Sequence, residues 1–522
     1  MAAARRSPFA IVPSRVPNYG FVIDLKTCIG CHACTIACKS EHDIPIGVNR
    51  CWVKTVEKGT FPDTQRMFLP MLCNQCEEAP CMKICPTSAL YRRPDGIVDL
   101  YGDSCIGCKA CMVACPYDQI FIDPNTHTAE KCNFCANRIE NQLEPACVSV
   151  CPTECRIFGD LDDPNSDVAK AVQRKAFTVR KPEKGTGPKV FYLGADDSAI
   201  QPEIAARPFM FREGQVHLRP LGAAEPDPSR PGDPRVDYDM PHKKAWGMDL
   251  VLYLLFKGIS TGALMLGAVL WLMGDQSVLT SIVAPLISAV FCAATAIVLI
   301  KDLEQPKRFY YILTRPNWTS WMARGAFLLT AHGAISGAWL VAGWLGWHGF
   351  VTMFAVLALP IALATTAYTG LLFAQGLARD LWQGTHATID LVAHALIEGA
   401  AVLLVASLYT SPADATVQWL GWTLGLATAA HGMILVLEHL LAPSATLHHE
   451  LAVRAIVRGA FSRMFWVGAL GIGCAAPLAL FALAVLAGFP LGTLALAGVL
   501  ALGGGLAWEY VWVEAGQSVP LS

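Results

Sequence analysis

Residues 105–116 read CIGCKACMVACP, and this stretch decides the fold of the first third of the chain. Its four cysteines are spaced Cys-x2-Cys-x2-Cys-x3-Cys and are followed by proline. The first three cysteines of such a loop can bind one iron–sulfur cubane, while the fourth points into a neighbouring cubane. Zinc also binds Cys-x2-Cys pairs, but zinc sites normally stop at two pairs, without a third cysteine in the loop. The spacing therefore favours iron–sulfur ligation.

Three further sets of four cysteines also begin with Cys-x2-Cys and end with Cys-x3-Cys, as the sets of bacterial ferredoxins with two clusters do. They are Cys28-x2-Cys31-x2-Cys34-x3-Cys38, Cys73-x2-Cys76-x4-Cys81-x3-Cys85-Pro86 and Cys132-x2-Cys135-x11-Cys147-x3-Cys151-Pro152. Only the first set lacks the trailing proline, since Lys39 stands there. Together with Cys105, Cys108, Cys111 and Cys115, these sixteen cysteines predict the iron ligands of four [4Fe–4S] clusters. Cys51 and Cys155 are left over, and we expect them to be small packed side chains.

The composition divides the 522 residues into two unlike halves. Eighteen of the twenty cysteines precede residue 156, whereas only ten of the forty Lys and Arg residues follow Trp246. With 53% hydrophobic and 16% charged residues the chain is not a disordered one, and its apolar second half excludes a single soluble domain. A net charge of −2 gives no indication of a nucleic-acid partner.

Four segments follow from these shifts in composition. They are a tail at 1–20, a four-cluster domain at 21–211, a linker at 212–245 and a membrane domain at 246–522. Arg5 and Arg6 of the tail are not followed by the apolar run that a secretory or twin-arginine signal needs, so we expect a solvated tail. The linker is rich in proline, glycine and charge, which predicts an extended connector or a surface wrap between the modules.

The second half contains eight stretches of the roughly 20 apolar residues that a membrane-spanning helix requires. These predicted spans are 248–273, 278–300, 323–345, 348–377, 388–410, 416–441, 463–487 and 490–513. Apart from Lys257 inside the first span, the basic residues after Trp246 lie on the side of the membrane where that span begins. They are Lys301, Lys307, Arg308, Arg315, Arg324, Arg379, Arg454, Arg458 and Arg463.

The opposite connections contain no lysine or arginine, so the positive-inside rule predicts that the cysteine-rich domain lies in the cytoplasm, at the inner membrane. An alternative remains open: the basic loops could serve to dock the cysteine-rich domain. Tryptophans near both rims of the predicted spans form the expected aromatic belt.

The segment IDLKTCIGCHACTIACKSEH (23–42), the order of the four sets and the later IFGDLDDPNS (157–166) resemble the four-cluster electron-transfer subunit of molybdopterin oxidoreductases. This resemblance covers about residues 20–210. It implies an α+β double ferredoxin-like module and assigns the ligands to four groups. They are Cys28, Cys31, Cys34 and Cys151; Cys132, Cys135, Cys147 and Cys38; Cys73, Cys76, Cys81 and Cys115; and Cys105, Cys108, Cys111 and Cys85.

The motif KDLEQPKRFYYILTRPNWTSWMARGA (301–326) and the end EYVWVEAGQSVPLS (509–522) resemble the NrfD-like family, the membrane subunit of polysulfide reductase and its relatives. The resemblance implies an all-α bundle of eight transmembrane helices in two four-helix parts. It also implies electron exchange with menaquinone or ubiquinone near the face that meets the iron–sulfur module, without haem. A row of clusters fused to such a bundle predicts an electron relay.

The predicted function is that of the electron-transfer and quinone-reactive subunit of a membrane-bound molybdopterin oxidoreductase. The soluble half has no dinucleotide motif, no P-loop and no nucleophile elbow, so we expect substrate chemistry and the molybdopterin on a catalytic partner subunit. A higher oligomer remains open. Two alternatives are a redox-driven proton-translocating module related to alternative complex III and a membrane-anchored ferredoxin that stores electrons.

Quinone reduction consumes two electrons and two protons, so a site needs an apolar slot and titratable groups at the carbonyls. His242 stands before the first span, where the resemblance places the quinone headgroup. Lys257 lies about three turns into the first span, where a charge is costly. It either pairs with an acid or lines a proton or quinone path. Asp302, Arg308 and Arg324 belong to the 301–326 motif, and a loop salt-bridge network is the alternative to quinone contact.

His394 and Glu398 lie four residues apart and therefore share one face of the fifth span. Glu438 and His439 close the sixth span. Both pairs are candidates for proton relay, and hydrogen bonding between helices is the alternative. His332, His394 and His431 lie inside spans, so a haem held by two histidines is conceivable, but we expect no haem because the resemblance argues against it.

Overall fold

The computed structural model describes residues 16–174, 176–206, 232–240, 242–384 and 386–522. Its first part is an α+β module with the cysteine-rich loops, and its second part is helical, so the predicted fold class is confirmed. Most of the predicted tail and residues 212–231 of the predicted linker lie outside the described residues.

The strands of the first part are short and form four small sheets. They are β1 (Tyr19–Asp24), β2 (Cys51–Lys58), β3 (Gln65–Leu72), β4 (Leu90–Arg92), β5 (Val98–Leu100), β6 (Ile120–Ile122), β7 (Ala129–Lys131), β8 (Arg156–Asp160), β9 (Phe177–Thr178), β10 (Val190–Leu193) and β11 (Arg235–Tyr238). The sheet orders are β8-β1-β10-β9, β11-β2-β3, β4-β5 and β6-β7.

Strand β1 is the centre of the first part because it pairs antiparallel with β8 and parallel with β10. Its central residues Phe21, Val22 and Ile23 are fully buried, as expected of a strand with neighbours on both edges. Strand β11 comes from the predicted linker and pairs antiparallel with β2. This part of the linker is therefore a strand of the ferredoxin-like module, lying immediately before the membrane helices.

The cysteine loops repeat one backbone geometry. Gly30 and Gly107, the third residues of their CIGC motifs, have φ values of 68° and 69°. His32 and Lys109, which follow the second cysteine, are also left-handed, and a short helix begins directly after each of them. The helices of the first part are α1 (Ala33–Glu41), α2 (Pro80–Ile84), α3 (Ala110–Ala114), α4 (Ala136–Ile139), α5 (Ala146–Ser149), α6 (Asp167–Arg174) and α7 (Asp197–Ile200).

Among the described residues, eight helices are long and apolar enough to cross a membrane. They are α8 (Met248–Leu272), α9 (Leu279–Asp302), α11 (Trp321–Trp344), α12 (His348–Ala374), α13 (His386–Thr410), α14 (Asp414–Leu441), α16 (Met464–Leu486) and α17 (Leu491–Ser518). The shorter helices α10 (Tyr311–Thr314) and α15 (Leu447–Val457) lie in connections. The predicted number of spans is confirmed, and their ends agree within three residues except at the last, which continues to Ser518.

The eight helices pack as two groups of four. Helices α8, α9, α11 and α12 contact one another, as do α13, α14, α16 and α17, and α8 against α13 joins the groups. Gly262 and Gly399 lie at this junction, where a β-carbon on either would overlap the facing backbone. Small residues let two transmembrane helices approach closely, so the junction brings the side chains of α8 and α13 together in the bundle interior.

The ferredoxin-like module docks on the membrane-helix connections. Lys184 forms a half-buried ion pair with Asp380, and Lys109 pairs with Asp302 at 3.1 Å. A β-carbon on Gly107 would overlap Glu304, so the CIGC loop of residues 105–108 lies directly against the connection after α9. One of the cysteine loops therefore forms part of the interface.

Candidate functional site

The structure brings the sixteen predicted ligands together in the four groups that the resemblance implies. Two groups each line one cavity: Cys28, Cys31, Cys34 and Cys151, and Cys85, Cys105, Cys108 and Cys111. In the other two, Cys38 has Cys132, Cys135 and Cys147 as charged neighbours, and Cys81 has Cys73, Cys76 and Cys115. None of the twenty cysteines, all of which are described, forms a disulfide. Four convergent thiols per site fit the ligand requirement of a [4Fe–4S] cluster.

The group Cys85, Cys105, Cys108 and Cys111, here called the inner site, is held by the membrane domain. Arg308 donates to the carbonyl oxygens of Gly102 and Cys105 at 2.8 and 3.0 Å. Asn317 donates to the Cys85 carbonyl at 2.8 Å, and the Trp246 indole donates to the Cys108 carbonyl at 3.3 Å. Two segments of the membrane domain, the connection between α9 and α11 and the residues just before α8, therefore fix the backbone of this one site.

The group Cys28, Cys31, Cys34 and Cys151, here called the outer site, faces solvent. Cys31 is exposed, and Cys28 and Cys151 are half-buried. Ile29 and Ile36 beside them have exposed fractions of 57% and 64%. An apolar, open rim around a group of four thiols is the kind of surface that a second protein can cover.

The two remaining cysteines of the ferredoxin-like module, Cys51 and Cys155, both contact predicted ligands. The Cys155 thiol lies 3.5 Å from the Cys151 sulfur and also hydrogen-bonds with Cys28. Cys51 hydrogen-bonds with Cys34 and accepts from the buried Arg156 guanidinium at 3.1 Å. They are packed, as expected, but they pack against the outer site itself.

A cavity of about 240 Å³ lies beside the inner site, at the junction of the two modules. Lys109 and Met112, from the loop and helix that carry Cys108 and Cys111, form part of its wall. The rest of the wall includes Trp52, Ile120, Phe121, Ile122, Pro124, Met240, His242, Lys243, Lys244 and Glu304. The lining thus combines apolar surface with several charged groups, which is the composition of a ligand pocket.

His242 is the sequence-predicted residue that lines this cavity. Its Nδ1 lies 2.9 Å from the Asp118 carboxylate of the ferredoxin-like module, and Asp239 and the Ser522 hydroxyl lie at its Nε2. Burial disfavours the imidazolium, but Asp118 and Asp239 outweigh burial and raise the pKa of His242 to about 9. The histidine is therefore a proton donor at neutral pH, and its orientation depends on both modules.

The three candidates from the 301–326 motif do not line this cavity. Asp302 pairs with Lys109, and Arg308 donates to backbone carbonyls of the inner site. The Arg324 Nε donates to the Trp318 carbonyl at 2.6 Å, and its guanidinium covers the Trp321 ring. Asp302 thus forms a salt bridge, as in the loop salt-bridge network that the sequence left as the alternative, whereas Arg308 and Arg324 donate to backbone carbonyls.

Lys257 is fully buried inside the bundle, away from the cavity. Its ammonium donates to the Thr369 hydroxyl at 2.5 Å and lies over the Tyr253 ring. Glu509 of α17 and Glu398 of α13 are its charged neighbours. Both acids are near enough to act on its charge, but among the described residues the ammonium hydrogen-bonds to Thr369 rather than to a carboxylate, so both interpretations of this lysine stay open.

A line of ionisable groups continues from these carboxylates along α13. His394 has its Nδ1 3.7 Å from Glu398 and its ring centroid 4.3 Å from that of His431. His431 binds Asp390 at 2.6 Å, and the Trp508 indole donates to the same carboxylate at 3.1 Å. The predicted pair His394 and Glu398 is thus part of a larger buried network.

The other intramembrane candidates have local partners. Glu438 pairs with His386 at the start of α13 and lies 3.9 Å from His439. The Nε2 of His332 lies 3.0 Å from the hydroxyls of both Ser260 and Ser288. The contacts of His332 with serines of two other helices therefore agree with interhelix hydrogen bonding, which was the alternative to a haem or proton-relay role for the intramembrane histidines.

Two family models match the chain. The model described as "Polysulphide reductase, NrfD" matches residues 238–520, which is more than half of the chain. The chain belongs to the polysulphide reductase NrfD family. A second model, "4Fe-4S dicluster domain", matches residues 64–161 of the ferredoxin-like module. The protein therefore joins an NrfD membrane domain and an iron–sulfur module in one multi-pass polypeptide.

The ferredoxin-like module is also similar in sequence to subunits of known reductases. The B subunit of tetrathionate reductase from Salmonella typhimurium is 44% identical over 201 residues, 38% of this chain and 80% of the relative. The B component of polysulfide reductase from Wolinella succinogenes is 45% identical over 181 residues, 34% of this chain and 94% of the relative. ArrB, the iron–sulfur subunit of the arsenate respiratory reductase from Shewanella sp. strain ANA-3, is 37% identical over 222 residues, with corresponding shares of 33% and 95%.

The structure adds three residues to the sites of this NrfD fusion protein. Glu509 and Asp390 are acids inside apolar spans, and the rule that selects Lys257 would have selected them too. Asp118 follows a Cys-Pro pair in a polar turn, where an aspartate is ordinary. No sequence signal distinguishes it, since its role depends on the docking of a histidine 124 positions later.

Proposed function

We propose that this protein is the electron-transfer and quinone-reactive subunit of a membrane-bound oxidoreductase complex. Electrons would pass between a catalytic partner subunit at the outer site and membrane quinone at the inner site. The observation that carries the proposal is the His242 cavity, whose wall includes residues from the loop of the inner site. An NrfD domain and iron–sulfur relatives from reductase complexes support the same conclusion.

We further propose that the sixteen cysteines of the four groups hold four [4Fe–4S] clusters. Such clusters supply one-electron steps, with potentials set in part by hydrogen bonds to the sulfurs and by solvent exposure. The polypeptide would space the clusters, cover the inner site with the connections between membrane helices and leave the outer site open. The exposed Cys31 and its apolar neighbours suit contact with a partner that carries the substrate chemistry, with molybdopterin as its cofactor.

The quinone, menaquinone or ubiquinone, would place its headgroup at His242. The imidazolium would donate a proton to a carbonyl oxygen, and Asp118 would hold the ring in position and keep it charged. Apolar walls such as Ile122 and Met240 would pack against the ring or tail. In this proposal Lys257 has no contact with the headgroup, and Asp302, Arg308 and Arg324 serve docking.

The orientation of the protein is part of the proposal. The asymmetry of the basic loops favours an inner-membrane protein with the ferredoxin-like module in the cytoplasm. Arg308 donates to the ferredoxin-like module, and this docking contact already accounts for its position. It therefore supports the proposed orientation less than the other basic residues do. Among the described residues, Arg454 and Lys301 pair with acids of the membrane domain, which leaves topology as the better account of their placement.

The test is reoxidation of the protein by quinone. Full-length protein in detergent is reduced with dithionite, the excess is removed, a short-chain quinone is added and the cluster absorption is followed. We expect reoxidation of the wild-type protein and a large loss of rate in His242→Ala. His348→Ala is the matched control, because His348 is an exposed histidine at the far rim of α12. Equal rates in the two variants would contradict the proposed site.

A second function, redox-driven proton translocation, is favoured by the buried network of Lys257, Glu398, Glu509, His394 and Asp390. Glu398 lies twelve residues into α13, about 18 Å from the ferredoxin side of a ~30 Å membrane core. The network therefore extends to about mid-membrane from the proposed quinone side. We expect Glu398→Gln to preserve quinone reoxidation and to abolish quinone-dependent proton uptake into sealed vesicles. Unchanged uptake in this variant would exclude the second function.

A further inference from the structure

The cavity of the outer site is lined by five thiols, which is one more than a cluster of four ligands uses. Cys155 lies four residues after Cys151, in the turn Cys-Pro-Thr-Glu-Cys. The equivalent positions after Cys85 and Cys115 are Ala89 and Gln119, so the fourth set alone has a thiol there. In the first set the equivalent residue is His42, whose Nε2 lies 3.1 Å from the Cys135 sulfur. The fourth residue after the last cysteine can therefore reach a ligand thiol.

Cys155 is placed to reach the iron that Cys151 would bind. Its sulfur is 3.5 Å from that of Cys151, it hydrogen-bonds with Cys28, and it lines the same cavity as all four ligands of the outer site. Cys155 is buried, with an exposed fraction of 3%, whereas Cys151 is half-buried in a turn. The Asp24 amide of β1 donates to the Cys155 carbonyl at 2.8 Å, which anchors its backbone to the central strand.

We propose that Cys155 is a reserve ligand of the outer cluster, which rests on the proposed ligation of that cluster by Cys28, Cys31, Cys34 and Cys151. In the resting site Cys155 is a thiol whose single S–H donates one hydrogen bond, shared between the sulfurs of Cys28 and Cys151, since iron-bound thiolates can only accept. When Cys151 is released, an iron–sulfur bond to Cys155 replaces the one to Cys151. The thiol proton of Cys155 passes to the departing thiolate, and no electron is transferred.

This arrangement serves the most exposed of the four sites. An exposed cluster meets solvent and oxidants first, and low-pKa or accessible cysteines are the ones that oxidise. A buried thiol within reach of the same iron allows the cluster to persist when its solvent-facing ligand is lost. Cys51 does not offer the same exchange, because it contacts Cys34 and is bound by Arg156.

The experiment measures iron, acid-labile sulfide and the EPR spectrum of the dithionite-reduced full-length protein in detergent. We expect Cys151→Ala to retain the wild-type iron and sulfide content with an altered outer-cluster signal. The double variant Cys151→Ala/Cys155→Ala should lose one cluster. Cys115→Ala is the matched control and should lose one cluster, because Gln119 cannot replace the thiolate; adding Gln119→Cys to it should restore iron.

A second measurement avoids removing any ligand. Cys155→Ala in the otherwise wild-type protein should retain four clusters, and the midpoint potential of the outer cluster should shift to more negative values, because hydrogen bonds to its sulfurs are lost. Cys155→Ser should shift it less. Equal loss of iron in Cys151→Ala and its double variant, loss of a cluster in Cys155→Ala, or an unshifted potential would overturn the inference. Wild-type protein with fewer than four clusters would instead contradict the proposed ligation.

Discussion

The inner and outer sites use the same cysteine loop in opposite surroundings. Both begin with a CIGC turn whose glycine is left-handed and whose short helix starts after the second cysteine. The Gly107 turn of the inner site lies against Glu304 of the membrane domain, whereas the Gly30 turn of the outer site lies against Phe68 of its own module. One loop sequence therefore specifies a cluster site, while the residues around it decide whether the site is closed or open.

Burial follows the same division. Cys111 of the inner site is buried and its loop backbone accepts hydrogen bonds from the membrane domain, whereas Cys31 of the outer site is exposed. A closed site next to a cavity suits exchange with a small apolar molecule, and an open site suits exchange with another protein. The difference teaches that docking and exposure, rather than the ligands, distinguish one end of the module from the other.

The largest effect should come from removing a ligand at each end. Cys108→Ala and Cys31→Ala should each lose the iron and sulfide of one cluster. We expect quinone to reoxidise the remaining clusters in Cys31→Ala but not in Cys108→Ala, since only the inner cluster is close to the His242 cavity. Iron analysis and quinone reoxidation measure this, and membrane extraction of both variants checks that the eight spans insert normally. Fast reoxidation of Cys108→Ala would break the comparison between the two ends.

The next effect concerns the proton donor at the inner end. His242→Ala should lower the quinone reoxidation rate by about 10²-fold, the low end of what a positioned general acid contributes. For the wild-type protein, the rate should fall as pH rises through about 9, the raised pKa of His242. Asp118→Asn removes the main carboxylate that raises this pKa, so the fall should move to lower pH. A pH profile unchanged in Asp118→Asn would contradict the role of the His242–Asp118 pair.

The same ionisation affects docking. The pKa of His242 in the folded protein lies above its ordinary value of about 6.5. The pair with Asp118 therefore stabilises the docked arrangement fully at pH values below about 6.5. The contribution is lost as pH rises through about 9.

Much of this architecture could be predicted from the sequence because ligands and spans are local patterns. Cysteine spacing identified the sixteen candidates, and apolar length identified the eight spans, with ends within three residues except at α17. The helix α17 continues to Ser518 because its last turns pack inside the protein, where Glu514 pairs with Lys244. A hydropathy window cannot include such a polar extension.

The residues that sequence reasoning could not place depend on contacts between the modules. His242 could be selected by its position before the first span, but its partner Asp118 could not. Arg308 was a candidate for both quinone contact and docking, and only its hydrogen bonds to the Cys105 carbonyl distinguish these alternatives. Cys155 was expected to be a packed thiol, and its distance to Cys151 is a property of the folded turn.

A smaller effect than those at His242 should follow the loss of a docking contact at the inner end. Arg308→Ala removes two charge-assisted hydrogen bonds to the carbonyls of Gly102 and Cys105. Hydrogen bonds to charged groups contribute about 1.5–3 kcal/mol, so we expect a destabilisation of that order at the inner site. Hydrogen exchange of the amides in residues 102–108 would measure it. Unchanged protection of these amides would show that the arginine does not hold the loop.

The smallest effect should come from an ion pair at the group of Cys38, Cys132, Cys135 and Cys147, which adjoins the outer site because α1 carries both Cys34 and Cys38. Arg138 follows Cys135, and its guanidinium lies 3.0 Å from Glu41, which follows Cys38; both side chains are about a quarter exposed. Burial opposes ionisation of Glu41, but Asn137 and Arg138 outweigh it and lower its pKa, so the pair stabilises at neutral pH and is lost as pH falls through that lowered pKa.

For a pair this exposed, Arg138→Ala should cost only about 0.2–1 kcal/mol, and less at high salt. Hydrogen exchange of the amides around Cys135 measures this cost, and Glu41→Gln with the double variant isolates the interaction between the two side chains. If the loss matched that of Arg308→Ala at the inner end, the outer end would be as firmly held as the inner one. The contrast between an open and a docked site would then rest on exposure alone.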